Sequence, residues 1–349
     1  MYDIITFGSA TQDIRLKSKA FKVLKNEKDF VTGQGLCLTL GSKIEVEDIQ
    51  FTSGGGGTNT AATFAKQGFK VAYCGSVGQD NAGKYIIAEL KKLKVDTRFV
   101  LVKNEKHTNH SVIIFNDYNQ SDANEKVETK ERTILAYRGA SELMDKNDIP
   151  WKKLKTKWIY LAPLTGLLCD TTEEIVNFAF QNKIKIAINP SKEQLSLPPE
   201  TLKNILQKID ILFLNKEEAS FLTKIPYEQE NEIFKKLDQL CPGVAVMTKG
   251  GDGVVAADGK YFYSAIAHKD RRIIDTTGAG DSFASGFLTD FIKYNGDIEK
   301  AIQMGLANSE ANLAEIGAKT GLLDRNIKFE RVPVAKQLCS ENNLCLPKN

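Results

Sequence analysis

The segment IIDTTGAGDSFASGFLTDFI, residues 273–292, decides how this chain is read. Ile273 and Ile274 end an apolar run, and Gly278 and Gly280 make a turn free of Cβ crowding. Beyond Asp281 the apolar residues Phe283, Phe287, Leu288, Phe291 and Ile292 recur at helical spacing. A glycine turn therefore opens a helix whose first amides have no partner inside the helix. Together with the helix dipole they form a site for an anion. Asp281 falls in the first turn, where the dipole favours an ionised carboxylate. Such a carboxylate beside a phosphate site can take a proton from an attacking hydroxyl. Taken alone, the GAGD string is more often a plain helix start, with Gly286 there for close helix packing.

Working outward, short apolar runs at residues 4–7, 71–74, 158–161, 184–188, 211–214 and 244–247 read as strands buried on both faces. Helical patterns lie between them at 58–67, 82–93, 172–181, 199–207, 217–223 and 230–240. This alternation predicts an α/β fold: a doubly wound, mostly parallel sheet flanked by helices, with ligands at the carboxyl ends of the strands. Two stretches, 36–52 and 98–137, alternate in the manner of antiparallel strands and predict a small β lid outside the main sheet. Within the second, the polar run NDYNQSDANEKVETKER at 116–132 reads as a solvated hairpin tip. One domain is expected over residues 1–324, and 325–349 as a tail packed on its surface.

The 349 residues carry 47 Lys+Arg against 44 Asp+Glu, a formal charge of +3. That balance argues against a nucleic-acid binder driven by phosphate contacts. No apolar run approaches the roughly 18–20 residues of a membrane span; the longest, 158–169, contains Pro163 and Gly166. The N-terminus lacks a basic n-region and cleavage pattern. Six cysteines without a CxxC read as reduced, mostly buried thiols, so a cytoplasmic protein is expected.

DTTGAGDSF resembles the active-site signature of the ribokinase-like (PfkB-type) carbohydrate kinases. The resemblance implies that Asp281 is the catalytic base and that the amides of Gly278, Ala279 and Gly280 form the anion hole. SGGGGTNTAATFAKQGFKVAYCGSVGQDNAGKY, residues 53–85, resembles the family's N-terminal signature. By that resemblance Gly55, Gly56, Asn59 and Asp13 contact the acceptor. Glycine lets the backbone approach a polyol, and an amide offers both donor and acceptor to its hydroxyls. Ribokinases proper carry a lysine where this chain has Gly56. Asn215 and Glu218 have capping-box spacing, and the family's glutamate there holds water on Mg2+. Asn189, Asn215, Thr248, Gly250, Gly253 and Asn308 fall at positions the family uses toward ATP. Residues 315–321, with Asp275 and Thr277, lie where relatives bind a monovalent cation such as K+. The implied partners are ATP and a small sugar or nucleoside, with no nucleic acid and no membrane, and by analogy a homodimer through the lid.

Other readings are weaker. Residues 78–85 nearly match a P-loop, but Tyr85 stands where a magnesium-binding hydroxyl is needed. The glycine run lacks the third glycine of a dinucleotide site. His107 and His110 have no partner pattern for a metal. A non-catalytic sugar or nucleotide binder requires loss of the base or the anion hole, and both are present. Ribose, another sugar, a sugar phosphate and a nucleoside all remain open as acceptors.

Overall fold

The computed structural model describes residues 1–25, 34–115, 132–342 and 344–345. The strands are β1 (Tyr2–Phe7), β2 (Thr11–Lys17), β3 (Lys22–Lys25), β4 (Gln34–Cys37), β5 (Asp48–Gly54), β6 (Val71–Gly78), β7 (Asp96–Lys103), β8 (Asn109–Phe115), β9 (Arg132–Tyr137), β10 (Thr156–Leu161), β11 (Lys185–Ile188), β12 (Ile211–Asn215), β13 (Val244–Thr248), β14 (Val254–Ala257), β15 (Tyr261–Ala265) and β16 (Val334–Leu338). Ten of them form one sheet in the order β16-β15-β14-β13-β12-β11-β10-β1-β6-β7. It is parallel from β7 to β13 and antiparallel from β13 to β16.

The central strands are apolar throughout because each face is covered. Ile5 and Phe7 of β1, Ile159 and Leu161 of β10, and Leu212 and Leu214 of β12 point into one core. Their neighbours Ile4, Trp158, Tyr160, Ile211 and Phe213 point into the other, as period-two alternation requires. Helices Thr172–Gln181 and Glu230–Leu240 close the first core with Ile175, Val176, Ile233, Phe234 and Leu237. Helices Gly56–Lys66, Ala279–Lys293 and Ile298–Leu313 close the second with Phe64, Phe283, Phe287 and Leu306. A Cβ on Gly286 would lie 2.8 Å from the Met304 carbonyl. The last two helices therefore cross through this glycine, as the close-packing reading of Gly286 expects.

A four-stranded sheet, β5-β2-β8-β9, is separate from the main one, at the place of the expected lid, and β3 and β4 form a further pair. Here the structure differs from the sequence reading in three ways. The region from residue 98 does not belong wholly to the lid, since β7 is the parallel edge strand of the main sheet. The lid takes its central strand from β2, which the sequence reading did not assign. The C-terminal segment is not only surface packing, because β16 extends the main sheet along β15. The polar run 116–131 lies outside the described residues.

The cysteines also depart from expectation. Cys339, the first residue of the short helix Cys339–Asn342, forms a disulfide with Cys345, with Cα atoms 5.0 Å apart. Cys37, Cys74, Cys169 and Cys241 are thiols. Among the described residues no helix is long and apolar enough to cross a membrane.

Candidate active site

The carboxyl ends of the parallel strands deliver polar residues to one edge of the sheet. Asn189 follows β11, Asn215 ends β12 and Thr248 ends β13. Facing them is the amino end of the helix Ala279–Lys293. These groups line a cavity of about 220 Å³ together with Glu218, Thr276, Gly278, Gly280 and Asp281.

The glycine turn is shaped by sterics. Gly278 caps the helix at φ 79°, and a Cβ there would lie 2.6 Å from the Ala318 Cβ, so both conformation and space require glycine. A Cβ on Gly280 would meet nothing within 4 Å, because that position faces the open cavity. The Ala279 amide turns back to the Thr276 carbonyl at 3.4 Å. Among the described residues the amides of Gly278, Gly280 and Asp281 have no such acceptor, so they are open donors at this helix start.

Asp281 links this cavity to the helix that follows β5. Asn59 Nδ2 donates to Asp281 Oδ2 at 2.8 Å, across 222 residues of sequence. Asn59 Oδ1 is buried and has no hydrogen-bond partner among the described residues. A buried carbonyl left in that state is costly unless a ligand donor reaches it. A Cβ on Gly56 would lie 3.3 Å from Asp281 Oδ1 and 2.9 Å from Ala162 Cβ, so glycine clears the space in front of the carboxylate. Gly55, at φ 95°, turns the chain from β5 into the helix. Asp13 of β2 is buried, and its carboxylate lies against Gly54. The structure thus brings Asp13, Gly55, Gly56, Asn59 and Asp281 together.

Burial pushes the Asp281 carboxyl up, and the Asn59 hydrogen bond and the Lys319 charge draw it only part of the way back. The helix dipole argument alone pointed toward an ordinary ionised acid. Burial instead tunes the group in the direction a general base uses. Sequence reasoning missed Lys319. Its ammonium is buried, donates to Ser53 Oγ at 2.6 Å and lies 3.4 Å from Glu89 Oε2. Ser53 also donates to Glu89. Burial pushes Lys319 down against the pull of Glu89, Asp13 and Asp281. Tyr160 was missed too: its hydroxyl is buried, has no partner among the described residues, and feels the charges of Asp281 and Glu218.

The capping box at Asn215 and Glu218 is formed. Asn215 Oδ1 accepts from the Glu218 amide at 2.7 Å, and Glu218 Oε2 accepts from the Asn215 amide at 2.9 Å. The box engages one carboxylate oxygen, and burial pushes the Glu218 pKa up. Among the described residues no three acidic, His or Cys side chains gather as a metal cage. A half-buried glutamate at a phosphate-sized cavity suits Mg2+, which keeps its waters and leans on substrate phosphates.

Three expected contacts are not assembled here. Asn308 is fully buried, donates to the Ser282 carbonyl at 2.8 Å and accepts from the Leu323 amide at 2.9 Å, so it ties helices rather than facing a ligand. Gly253 sits where a Cβ would meet the Ala265 carbonyl at 2.0 Å, a demand of the hairpin itself. Gly250, at φ 59°, stands in open space next to that turn, outside the cavity. Among the described residues, Asp275 accepts from four hydrogen-bond donors. Burial pushes its carboxyl up, but the Thr277 and Gly317 hydrogen bonds and the Arg15 charge outweigh it, and its pKa lies below the usual value.

The family model of the pfkB family carbohydrate kinases matches residues 29–325. A ribokinase of Haemophilus influenzae is 26% identical over 306 residues, covering 83% of this chain and 90% of that protein. A cytidine kinase of Thermococcus kodakarensis is 24% identical over 266 residues, covering 76% and 88%. In fold the chain resembles the Arabidopsis thaliana ribokinase solved with ribose and ATP. The TM-score is 0.74 at 20% identity, covering 93% of this chain and 96% of that one.

Proposed function

Since the chain belongs to the PfkB family of carbohydrate kinases and is a phosphotransferase, we propose that it moves the γ-phosphoryl group of ATP to a primary hydroxyl of a small sugar. The observation that carries this reading is Asn59. Its amide donates to Asp281, which lines the cavity, while its buried carbonyl has no partner among the described residues. A sugar hydroxyl bonded to Asn59 Oδ1 lies beside the Asp281 carboxylate. Asp281 takes that hydroxyl's proton, the oxygen forms its bond to the γ-phosphorus in line, and the bond to ADP breaks. The amides of Gly278 and Gly280 receive the equatorial oxygens. Asn189, Asn215 and Thr248 border the phosphate chain. Glu218 is the residue that would hold a Mg2+ ion, which would supply charge neutralisation on the phosphates.

Alternation along the lid strands puts Asp13 on one face with Arg15, Thr52, Ser111 and Ala136. Phe51 and Tyr137 fall on the opposite face, away from Asp13. That outer face also carries Ile14, Leu16, Ile49, Val112 and Leu135, with Phe51 55% and Leu135 57% exposed. An exposed apolar sheet face of this kind suits pairing with a second copy. A nucleoside acceptor is the second reading, favoured by similarity to the cytidine kinase.

The test is ATP consumption across ribose, fructose, fructose phosphates, adenosine, cytidine and inosine, with Asp281→Asn as the control. Phosphorylation of one of these by the wild type, abolished in the variant, supports the reading. Equal rates for both proteins refute it.

A further inference from the structure

Asp275 opens the glycine turn, and its carboxylate is fully used. Oδ1 accepts from the Thr277 amide at 2.9 Å and the Thr277 hydroxyl at 2.7 Å. Oδ2 accepts from the Gly317 amide at 3.1 Å and from Arg15 Nη1 at 3.0 Å. A carboxylate has about four lone-pair positions, and four donors among the described residues already occupy them. The ion pair is enclosed, with side-chain exposures of 18% for Arg15 and 3% for Asp275. Residues 315–321, Asp275 and Thr277 are the ones that resemblance assigns to a monovalent cation. They do not fit one here. The carboxylate already meets a fixed positive charge, and a second cation against the guanidinium is repelled in a poorly solvated place.

Arg15 comes from the lid. It lies two residues after Asp13 on β2, so both side chains project from the same face of that strand. We propose that Arg15 is a built-in replacement for the monovalent cation, a positioning residue that supplies fixed positive charge behind the phosphate-binding turn. Because one strand carries both groups, the acceptor contact at Asp13 and the charge at Asp275 are set together. The inference rests on the kinase reading above.

Wild-type turnover at saturating Mg-ATP should be equal in potassium, sodium and tetramethylammonium chloride. Arg15→Met should lower kcat by about tenfold or more through a misplaced donor turn, with a smaller change in acceptor KM. Potassium, and not lithium, should restore part of the loss. Arg15→Lys should keep more activity than Arg15→Met. A structural role alone predicts no such cation-specific rescue. A direct measurement on the wild type is independent of turnover: crystals grown in rubidium chloride should show no anomalous peak at Asp275. Wild-type activation by potassium over sodium, or rubidium bound at Asp275, overturns the inference. A chain that consumes no ATP with any acceptor counts against the kinase reading, and the rubidium result still decides the role of Arg15.

Discussion

Replacing Gly54 with alanine tests the acceptor groove by moving one atom group. The new Cβ would sit 2.2 Å from Asp13 Oδ2, 3.1 Å from its Cγ and 3.4 Å from Oδ1. Carbon and oxygen approach comfortably to about 3.3 Å, so Oδ2 must retreat by roughly 1 Å. The obstacle is the end of a side chain, not backbone, and Gly54 is not in the left-handed region. The fold should therefore stand, and the lower chain entropy of alanine offsets part of any strain. What is lost is the aim of the Asp13 carboxylate at the acceptor. A hydrogen bond to a charged group contributes about 1.5–3 kcal/mol, which is an acceptor KM raised roughly 10- to 150-fold at saturating ATP. The assay is a steady-state acceptor titration with melting temperature measured in parallel. Asp13→Ala should raise KM similarly, and the double variant should be little worse than either single one, since both act through one group. An unchanged acceptor KM in Gly54→Ala, or effects that add in the double variant, would refute the placement of Asp13.

Asp281→Asn should lower kcat by about 10²- to 10⁴-fold while leaving ATP binding nearly intact; equal turnover counts against it as the base. The base works ionised and burial raises its pKa, so kcat should fall as pH drops through a value above the ordinary carboxylate range. A pH profile flat down to that range contradicts this. Glu218→Gln preserves capping-box geometry, so stability should hold while half-saturation by magnesium rises; an unaltered magnesium titration removes the role. Phe51→Asp, on the outer lid face, should shift sedimentation toward the monomer without changing acceptor KM. A wild type that already sediments as a monomer ends the pairing proposal.

Much of the fold was legible because buried parallel strands must be apolar on both faces, and β1, β10 and β12 are. The edge strand β7 was misread for the same reason in reverse. It is only partly buried, as an edge strand is, so it imitates a lid strand. In β16, VAKQL is polar and mostly exposed, and only pairing with β15 makes it a strand. At the site, the glycine turn declared itself because φ and clearance admit few other residues. Asp13 was reached only through family likeness. Arg15 and Lys319 were not reached at all, since a charge on a strand or loop says nothing of a partner 260 residues away. Asn308 shows the converse, a polar residue at a familiar position whose hydrogen bonds are spent on packing.

The bond between Asn59 and Asp281 has a bearing on how the protein is made. While the ribosome is still adding the second half, the emerging segment holds Asn59 but lacks its carboxylate partner. Only when residue 281 arrives and docks is the Asn59 amide paired, so this one bond ties the early helix to a segment made 222 residues later.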